Sequence, residues 1–295
     1  IPTNTFVATI EAVTYLGAVP VLCDVNENDH NIDTSKISDL ISKKTKAILP
    51  VHFAGFPCDM DKISSIAKEH NLKVVEDAAH ALPSYYKGKI IGSLSDATCF
   101  SFYATKTLST GEGGMVTTNS MDIYSSMKIN RIHGIDGDAW DRYSSTSKWF
   151  YSVVEQGYKY NMSDISAALG LVQLGKLFEY NSKRFEIALR YIDSFKMHGI
   201  GYAYQDSKNK SSWHLFVIKV ANRDELYSKL LADGISTSVH FIPLHRHKYY
   251  RERYSFDGSL YPVSNKIYDS ILSIPIFPDL KLSEQDYVIS KIIDY

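Results

Sequence analysis

Two stretches decide the fold: Leu72-Lys73-Val74-Val75-Glu76-Asp77-Ala78-Ala79-His80, and Ala97-Thr98-Cys99-Phe100-Ser101-Phe102-Tyr103-Ala104-Thr105-Lys106. In the first, a short apolar run ends in two acids. In the second, a similar run ends in a serine, and a lysine follows in the loop beyond it. Short apolar runs bounded by polar residues read as buried strands. Working outward, Ala47–Val51 and Met115–Thr118 read as further strands, and Val19–Val25, which includes Asp24, as one near the start. Helical patterns fall between them. Ala8–Leu16 is closed by Gly17, Thr34–Lys44 aligns Ile37, Leu40 and Ile41 on one face, and Asp61–His70 aligns Ile63, Ile66 and Ala67. Strands alternating with helices predict an α/β fold with a mainly parallel sheet covered by helices on both faces.

Ser163 and Asp164 open a long helix, as a cap and a first-turn acid, with Ile165, Ala168, Leu169 and Val172 along one stripe. The pattern blurs in the polar run Glu179 to Arg184. A boundary placed there divides the chain into a large domain, 1–180, and a smaller C-terminal α/β domain, 181–295. In the second domain Trp213–Val220 and Ile235–Phe241 read as strands. Asp224–Ala232 reads as a helix stopped by Gly234, and a terminal helix starting at Ser283 turns Val288, Ile289, Ile292 and Ile293 inward.

Composition removes several classes. Over 295 residues, 32 Lys and Arg face 33 Asp and Glu, a net charge of -1, so no basic field exists to draw nucleic acid. Hydrophobic residues at 44% and charged ones at 22% exclude disorder. Cys23, Cys58 and Cys99 are too scattered for a disulfide framework or a CxxC metal site, and they suit a reducing cytoplasm. No apolar run approaches about 18 residues, so no membrane span is expected.

In open α/β sheets, ligands bind at the carboxyl ends of strands. A lone strand-end Asp is more often a helix cap, a loop lysine is more often a solvated charge, and Gly111-Glu112-Gly113-Gly114 alone could be any tight turn. Together they say more. Between Thr107 and Gly113 only Glu112 is charged, so Lys106 has apolar surroundings that would lower its proton affinity. An Asp, a Ser and a Lys at strand ends within about thirty residues match what pyridoxal phosphate needs: a carboxylate for the pyridine nitrogen, a hydroxyl for the phosphate and an amine for the aldehyde.

The residues resemble the DegT/DnrJ/EryC1/StrS family of pyridoxal-phosphate-dependent sugar aminotransferases, a branch of the fold-type I transferases. Thr5-Phe6-Val7-Ala8-Thr9, Gly17-Ala18-Val19-Pro20, Val51-His52-Phe53-Ala54-Gly55, Glu76 to His80, Ser101 through Lys106, Gly111 to Gly114 and Gly157-Tyr158-Lys159-Tyr160-Asn161-Met162-Ser163 stand in the family's order. The C-terminal half is most similar to the branch that makes UDP-4-amino-4-deoxy-L-arabinose, through Trp213-His214-Leu215-Phe216, Val239-His240-Phe241, His247 to Arg253 and Ile274-Pro275-Ile276-Phe277-Pro278.

The resemblance implies roles. Lys106 would bond the cofactor aldehyde and shuttle the substrate proton. Asp77 would hold the pyridinium nitrogen, with His80 beside it near the ring's phenolic oxygen. Ser101 would bind the phosphate. Phe6 would stack on the ring, plain core packing being an equal alternative. Many relatives read Gly-Tyr-Asn-Tyr-Arg where this chain has Gly157 to Asn161, and that Asn reaches the partner's phosphate. Lys159 and Asn161 are therefore both candidates for the contact. Tyr158 and His240 would face substrate, with a structural histidine as the even alternative for His240. Arg131-Ile132-His133-Gly134 is a family stretch without an assigned role. The activity implied is transfer of an amino group from glutamate to a nucleotide-linked keto-sugar at C4, by a cytoplasmic homodimer with shared sites, for cell-surface or secondary-metabolite sugars. The family carries several dozen residues ahead of the segment that begins here at Ile1, including a phosphate-binding turn, so an incomplete large domain with weakened cofactor binding is expected. A truncated, non-catalytic relative serving as a scaffold or binding partner is the alternative.

Overall fold

The computed structural model describes residues 1–136, 151–205 and 208–295. Its first half runs through α1 (Val7–Tyr15), β1 (Ala47–Ile48), α2 (Met60–Glu69), β2 (Lys73–Asp77), a hairpin of β3 (Tyr85–Tyr86) and β4 (Lys89–Ile90), β5 (Ala97–Ser101), β6 (Gly114–Thr117) and α3 (Met121–Asn130). The main sheet has the order β1-β2-β5-β6. β2 pairs in parallel with β1 and with β5, and β6 closes the edge antiparallel to β5. The register sets Asp77 opposite Cys99 and Ser101 opposite Gly114. The two deciding stretches and the glycine turn therefore arrive at one rim of the sheet, the location where open α/β sheets bind ligands.

Local chemistry explains the elements. Asp59 caps α2 by accepting from the backbone N–H of Lys62 at 3.3 Å. The helix buries Met60, Ile63 and Ala67 against Ile48 and Val74 of the sheet. Ser163 caps α4 (Asp164–Met197) through Ser166 N–H, as the sequence predicts. This 34-residue helix passes unbroken through the polar run 179–184. Its first half leaves Ile165, Leu169 and Val172 exposed, while Ile187, Ala188, Tyr191 and Phe195 enter a core with the C-terminal elements.

Those elements are β7 (Gly201–Tyr202), β8 (Phe216–Lys219), α5 (Arg223–Ala232), α6 (Lys248–Tyr254), α7 (Pro262–Ser270), β9 (Ile271–Ile274) and α8 (Leu282–Ile293). The three strands form an antiparallel sheet, β7-β8-β9. The same core takes in Val25, Phe53, Ala54 and Phe56 from the first half, so apolar packing couples the two parts of the chain.

Three predicted elements differ. Val19–Val25 forms bridges at Cys23 and Val25 rather than a strand. Cys23 pairs with the segment at Pro2, which has no N–H to extend a ladder, and the Asp24 carboxylate turns away to accept from Val263 and Ser264 N–H at the start of α7. Thr34–Lys44 is two 3₁₀ turns, Thr34–Lys36 and Ser38–Leu40, the first capped by Asp33. Ser and Asp side chains compete for backbone donors there and favour turns over a regular helix. Ile235–Phe241 meets β9 at a single bridge, Ser238 to Ser273, and Phe241 N–H donates instead to Asn4 Oδ1 at 3.4 Å.

Candidate active site

Asp77 ends the central strand β2. Thr9, in the first turn of α1, donates its hydroxyl to Asp77 Oδ2 at 2.7 Å, and Ala79 N–H donates to Oδ1 at 3.1 Å. Thr5 shares a hydroxyl contact with Thr9 at 3.0 Å. The carboxylate is thus fixed by a helix sixty-eight residues earlier in the chain. Behind it, Glu76 is fully buried and accepts from His52 at 2.7 Å, from Thr98 at 2.7 Å and from Ser95. Burial alone would raise the Glu76 pKa, but these bonds hold it below the ordinary carboxylate range.

Lys106 sits in a loop closed on itself. Phe102 N–H donates to Gly113 O at 2.8 Å, Thr110 N–H to Phe102 O at 2.9 Å, and Lys106 N–H to Tyr103 O at 2.9 Å. Thr107 anchors the loop by donating to Leu82 O, and Leu108 is buried against Phe102 and Leu177. The amine is partly buried. Desolvation lowers its pKa below the ordinary lysine value, and the charge of Asp77 offsets part of that. Among such neighbours a larger fraction of Lys106 is a free amine. The Gly113 turn is tight: a Cβ there would lie 2.5 Å from Thr110 Oγ1 and 3.2 Å from Met162 Cε. Ser101 Oγ accepts from Tyr103 N–H at 3.3 Å.

The C-terminal half completes the wall. His80, His214 and His240 all lie within reach of the Lys106 charge. His80 Nδ1 accepts from Ala54 N–H at 3.3 Å, and its ring stacks on Phe241 with centroids 5.7 Å apart. His240 Nδ1 lies 2.8 Å from Ser273 Oγ. Burial first and Lys106 second push the His240 pKa down to about 4. Phe6, the residue before α1, is 56% exposed, and its ring centroid lies 5.7 Å from that of Phe241.

The 157–161 loop stands apart. Lys159 donates to Asn161 Oδ1, and Tyr158 stacks on Tyr160 with centroids 5.0 Å apart. Among the described contacts none joins these residues to Asp77 or Lys106. The structure explains the Arg131–Gly134 stretch instead. His133 N–H donates to Tyr158 O at 2.8 Å and Tyr160 N–H to Arg131 O at 2.9 Å, so this stretch carries the loop.

The chain matches the DegT/DnrJ/EryC1/StrS aminotransferase family over residues 1–293. It belongs to that family. It is 42% identical over 298 residues to the spore coat polysaccharide biosynthesis protein SpsC of Bacillus subtilis, covering 98% of this chain and 77% of that protein. It is 43% identical over 291 residues to the uncharacterized protein MJ1066 of Methanocaldococcus jannaschii, covering 96% and 75%. Among solved structures it superposes with a TM-score of 0.92 on PseC of Helicobacter pylori, an aminotransferase involved in the biosynthesis of pseudoaminic acid. The identity there is 29%, and the match covers 99% of this chain and 78% of that one. The fold is that of the fold-type I pyridoxal-phosphate aminotransferases.

Pyridoxal 5′-phosphate is the cofactor of this family, and the rim fits it. The Asp77 carboxylate is fixed in place by two donors, the Lys106 amine is partly desolvated nearby, and the close-packed Gly113 turn brings backbone to the same edge. Sequence reading missed Thr9, His214 and the Glu76–His52 pair. For Thr9 a signal existed, the i,i+4 pair of hydroxyls at Thr5 and Thr9. For the other two none did, because their partners are distant in the chain.

Proposed function

We propose that this protein transfers an amino group from glutamate to a nucleotide-linked keto-sugar, at C4, in the formation of a cell-surface or secondary-metabolite sugar. The observation that carries the reading is the pairing of Asp77 and Lys106 at one rim, with the lysine's proton affinity lowered by burial. A scaffold alone would have no use for that pairing. Pyridoxal phosphate, when bound, supplies an electron sink and carries the amino group between donor and acceptor. The protein's own groups supply the rest. Asp77, fixed by Thr9 and Ala79, holds a proton on the ring nitrogen by charge. Lys106 Nζ takes and returns the proton at the reacting carbon, and its lowered proton affinity suits it to act as a base. His80, its ring held by Ala54 N–H, would serve near Asp77 and the ring's phenolic oxygen. Ser101 offers a hydroxyl for the phosphate, Phe6 a ring face, and His240 and Tyr158 polar contacts for substrate.

The relatives support a sugar substrate: SpsC is named for polysaccharide biosynthesis and PseC for pseudoaminic acid. The likeness of the C-terminal motifs to the arabinose branch supports C4 and a UDP or other nucleotide carrier. The uncovered apolar stripe Ile165, Leu169 and Val172 and the detached 157–161 loop support a homodimer in which Lys159 or Asn161 reaches the partner's cofactor phosphate. Three free cysteines support a reducing cytoplasm.

Purified protein mixed with pyridoxal phosphate should show a visible absorbance band that borohydride removes, and Lys106→Ala should abolish it. Identical, featureless spectra for both proteins would overturn the reading. With glutamate and a panel of nucleotide keto-sugars, the product should carry its amine at C4. Amination of 3-keto-sugars alone would overturn the position.

A further inference from the structure

His214 lies outside the strand-end motifs and has no role in the reading above, yet its ring is the near neighbour of His80. The two ring centroids are 4.4 Å apart with planes at 42°, and His80 carries Phe241 as another ring neighbour. His80 is thus packed between an aromatic ring and a second imidazole. His214 Nδ1 is buried with no hydrogen-bond partner, so no bond at that atom sets the ring's direction. Its seat is set by the backbone.

That backbone is held from three sides. Arg184, buried in the inward face of α4 without a carboxylate partner among the described residues, donates through one guanidinium nitrogen to Trp213 O at 3.2 Å, His214 O at 3.4 Å and Ile276 O at 2.7 Å. Asn181, nearly one turn earlier on the same helix, donates to Ser212 O at 2.9 Å. Ser212 in turn donates its hydroxyl to the carbonyl of His80, and its own N–H donates to Ser84 Oγ at 3.0 Å. The fit is close enough that a Cβ at Gly55, whose φ is +98°, would collide with Ser212 Oγ. Burying a guanidinium is costly, and its bonds to these carbonyls offset part of that cost while fixing the carbonyls in place. These anchors converge on one short segment, and its outcome is the His214 ring against His80.

We propose that His214 is a positioning residue of the site, whose ring, set by Arg184, Asn181 and Ser212, holds the His80 imidazole in place and keeps water from Lys106. The inference rests on the aminotransferase reading for its purpose but not for its test. The charged and titratable groups facing this pair are Lys106 from its loop, His240 from the C-terminal half, and Arg184 behind His214. Burial holds both His80 and His214 neutral, and the Lys106 charge adds to that. The cluster therefore presents Lys106 with a dry, uncharged wall rather than a second cation.

The test uses the cofactor-free protein, with Lys106 followed by pH-dependent competitive labelling and peptide mass analysis. His214→Gln removes the ring, and His214→Phe keeps a ring and removes the nitrogens. Thermal unfolding of each variant confirms folding. In His214→Gln the midpoint of Lys106 labelling should rise toward the ordinary lysine value as water enters. In His214→Phe it should stay near wild type. Pyridoxal-phosphate affinity should fall roughly fivefold to tenfold in the Gln variant, the order expected for a lost ring pair, and change less in the Phe variant. Asn181→Ala, which loosens the segment without touching the cleft, should shift the midpoint in the same direction by less. A Gln variant with an unmoved midpoint would overturn the proposal, as would a Phe variant as impaired as Gln. Because labelling needs no cofactor, failure of wild type to bind pyridoxal phosphate would count against the function alone.

Discussion

The rim that holds Asp77 and Lys106 and the loop that holds Lys159 and Asn161 are built on opposite principles. The rim is half-buried, and its groups are fixed by partners far away in sequence: Thr9 on Asp77, Leu82 on the Lys106 loop. The loop is mostly exposed, and its two polar side chains bond each other. A group whose protonation must be set needs low water and fixed dipoles, and only a folded interior supplies them. A group that only lends a charge to phosphate needs reach. The difference separates the chemistry a single chain can arrange from the contact that, on our proposal, it makes across a dimer.

The sharpest way to break this division is Asp77→Asn. The substitution keeps the shape and removes the charge that holds the ring nitrogen protonated. The borohydride-sensitive band should persist because Lys106 is intact, while kcat/KM falls by about 10²- to 10³-fold, the range seen when a preorganised electrostatic partner is lost. A loss below about fivefold would remove Asp77 from the role assigned to it.

The loop should respond differently. Lys159→Ala or Asn161→Ala should weaken cofactor binding, the more so for whichever makes the phosphate contact. A lost charge-assisted bond of about 1.5–3 kcal/mol corresponds to roughly a tenfold to hundredfold rise in Kd. Mixing Lys106→Ala protein with Lys159→Ala protein sharpens the point. If the loop serves the partner's rim, a mixed dimer holds one intact site and turnover returns. Unchanged cofactor affinity in both loop variants would end the shared-site proposal.

The same division shows what the sequence could reveal. The strand ending at Asp77, the placement of Lys106 in an apolar loop and the cap at Ser163 were all legible, because each rests on neighbours within a few residues. The segments at Val19–Val25 and Ile235–Phe241 misread as strands, since apolar content alone does not reveal that the pairing edge is Pro2 in one case and a single bridge at Ser273 in the other. Thr34–Lys44 had one helical face of apolar residues, but Asp33 and the serines took its backbone donors. His214 was quoted as part of a motif and given no role. Its contact with His80, like that of Thr9 with Asp77 68 residues away, exists only after the chain has folded.

Acid should tell the regions apart by a smaller margin. His240 is held down to about 4 and His30 to about 3, each chiefly by burial, against an ordinary value of 6.5. Between 6.5 and those values the unfolded chain binds protons that the folded chain refuses, so stability rises with pH across that window. Their contribution is fully present above pH 6.5 and is lost as pH falls toward 4, at about 1.4 kcal/mol per pH unit for each such histidine. Glu76, held below its ordinary value, follows the same sense at lower pH, its contribution fading as the medium falls through its folded pKa. Thermal unfolding from pH 7 to 4 should show a midpoint falling most steeply below 6.5. His240→Gln should reduce that slope by about one proton. If His240→Gln left the slope as it is in wild type, the buried rim would not be where the protein feels acid, and the contrast between rim and loop would fail at its electrostatic root.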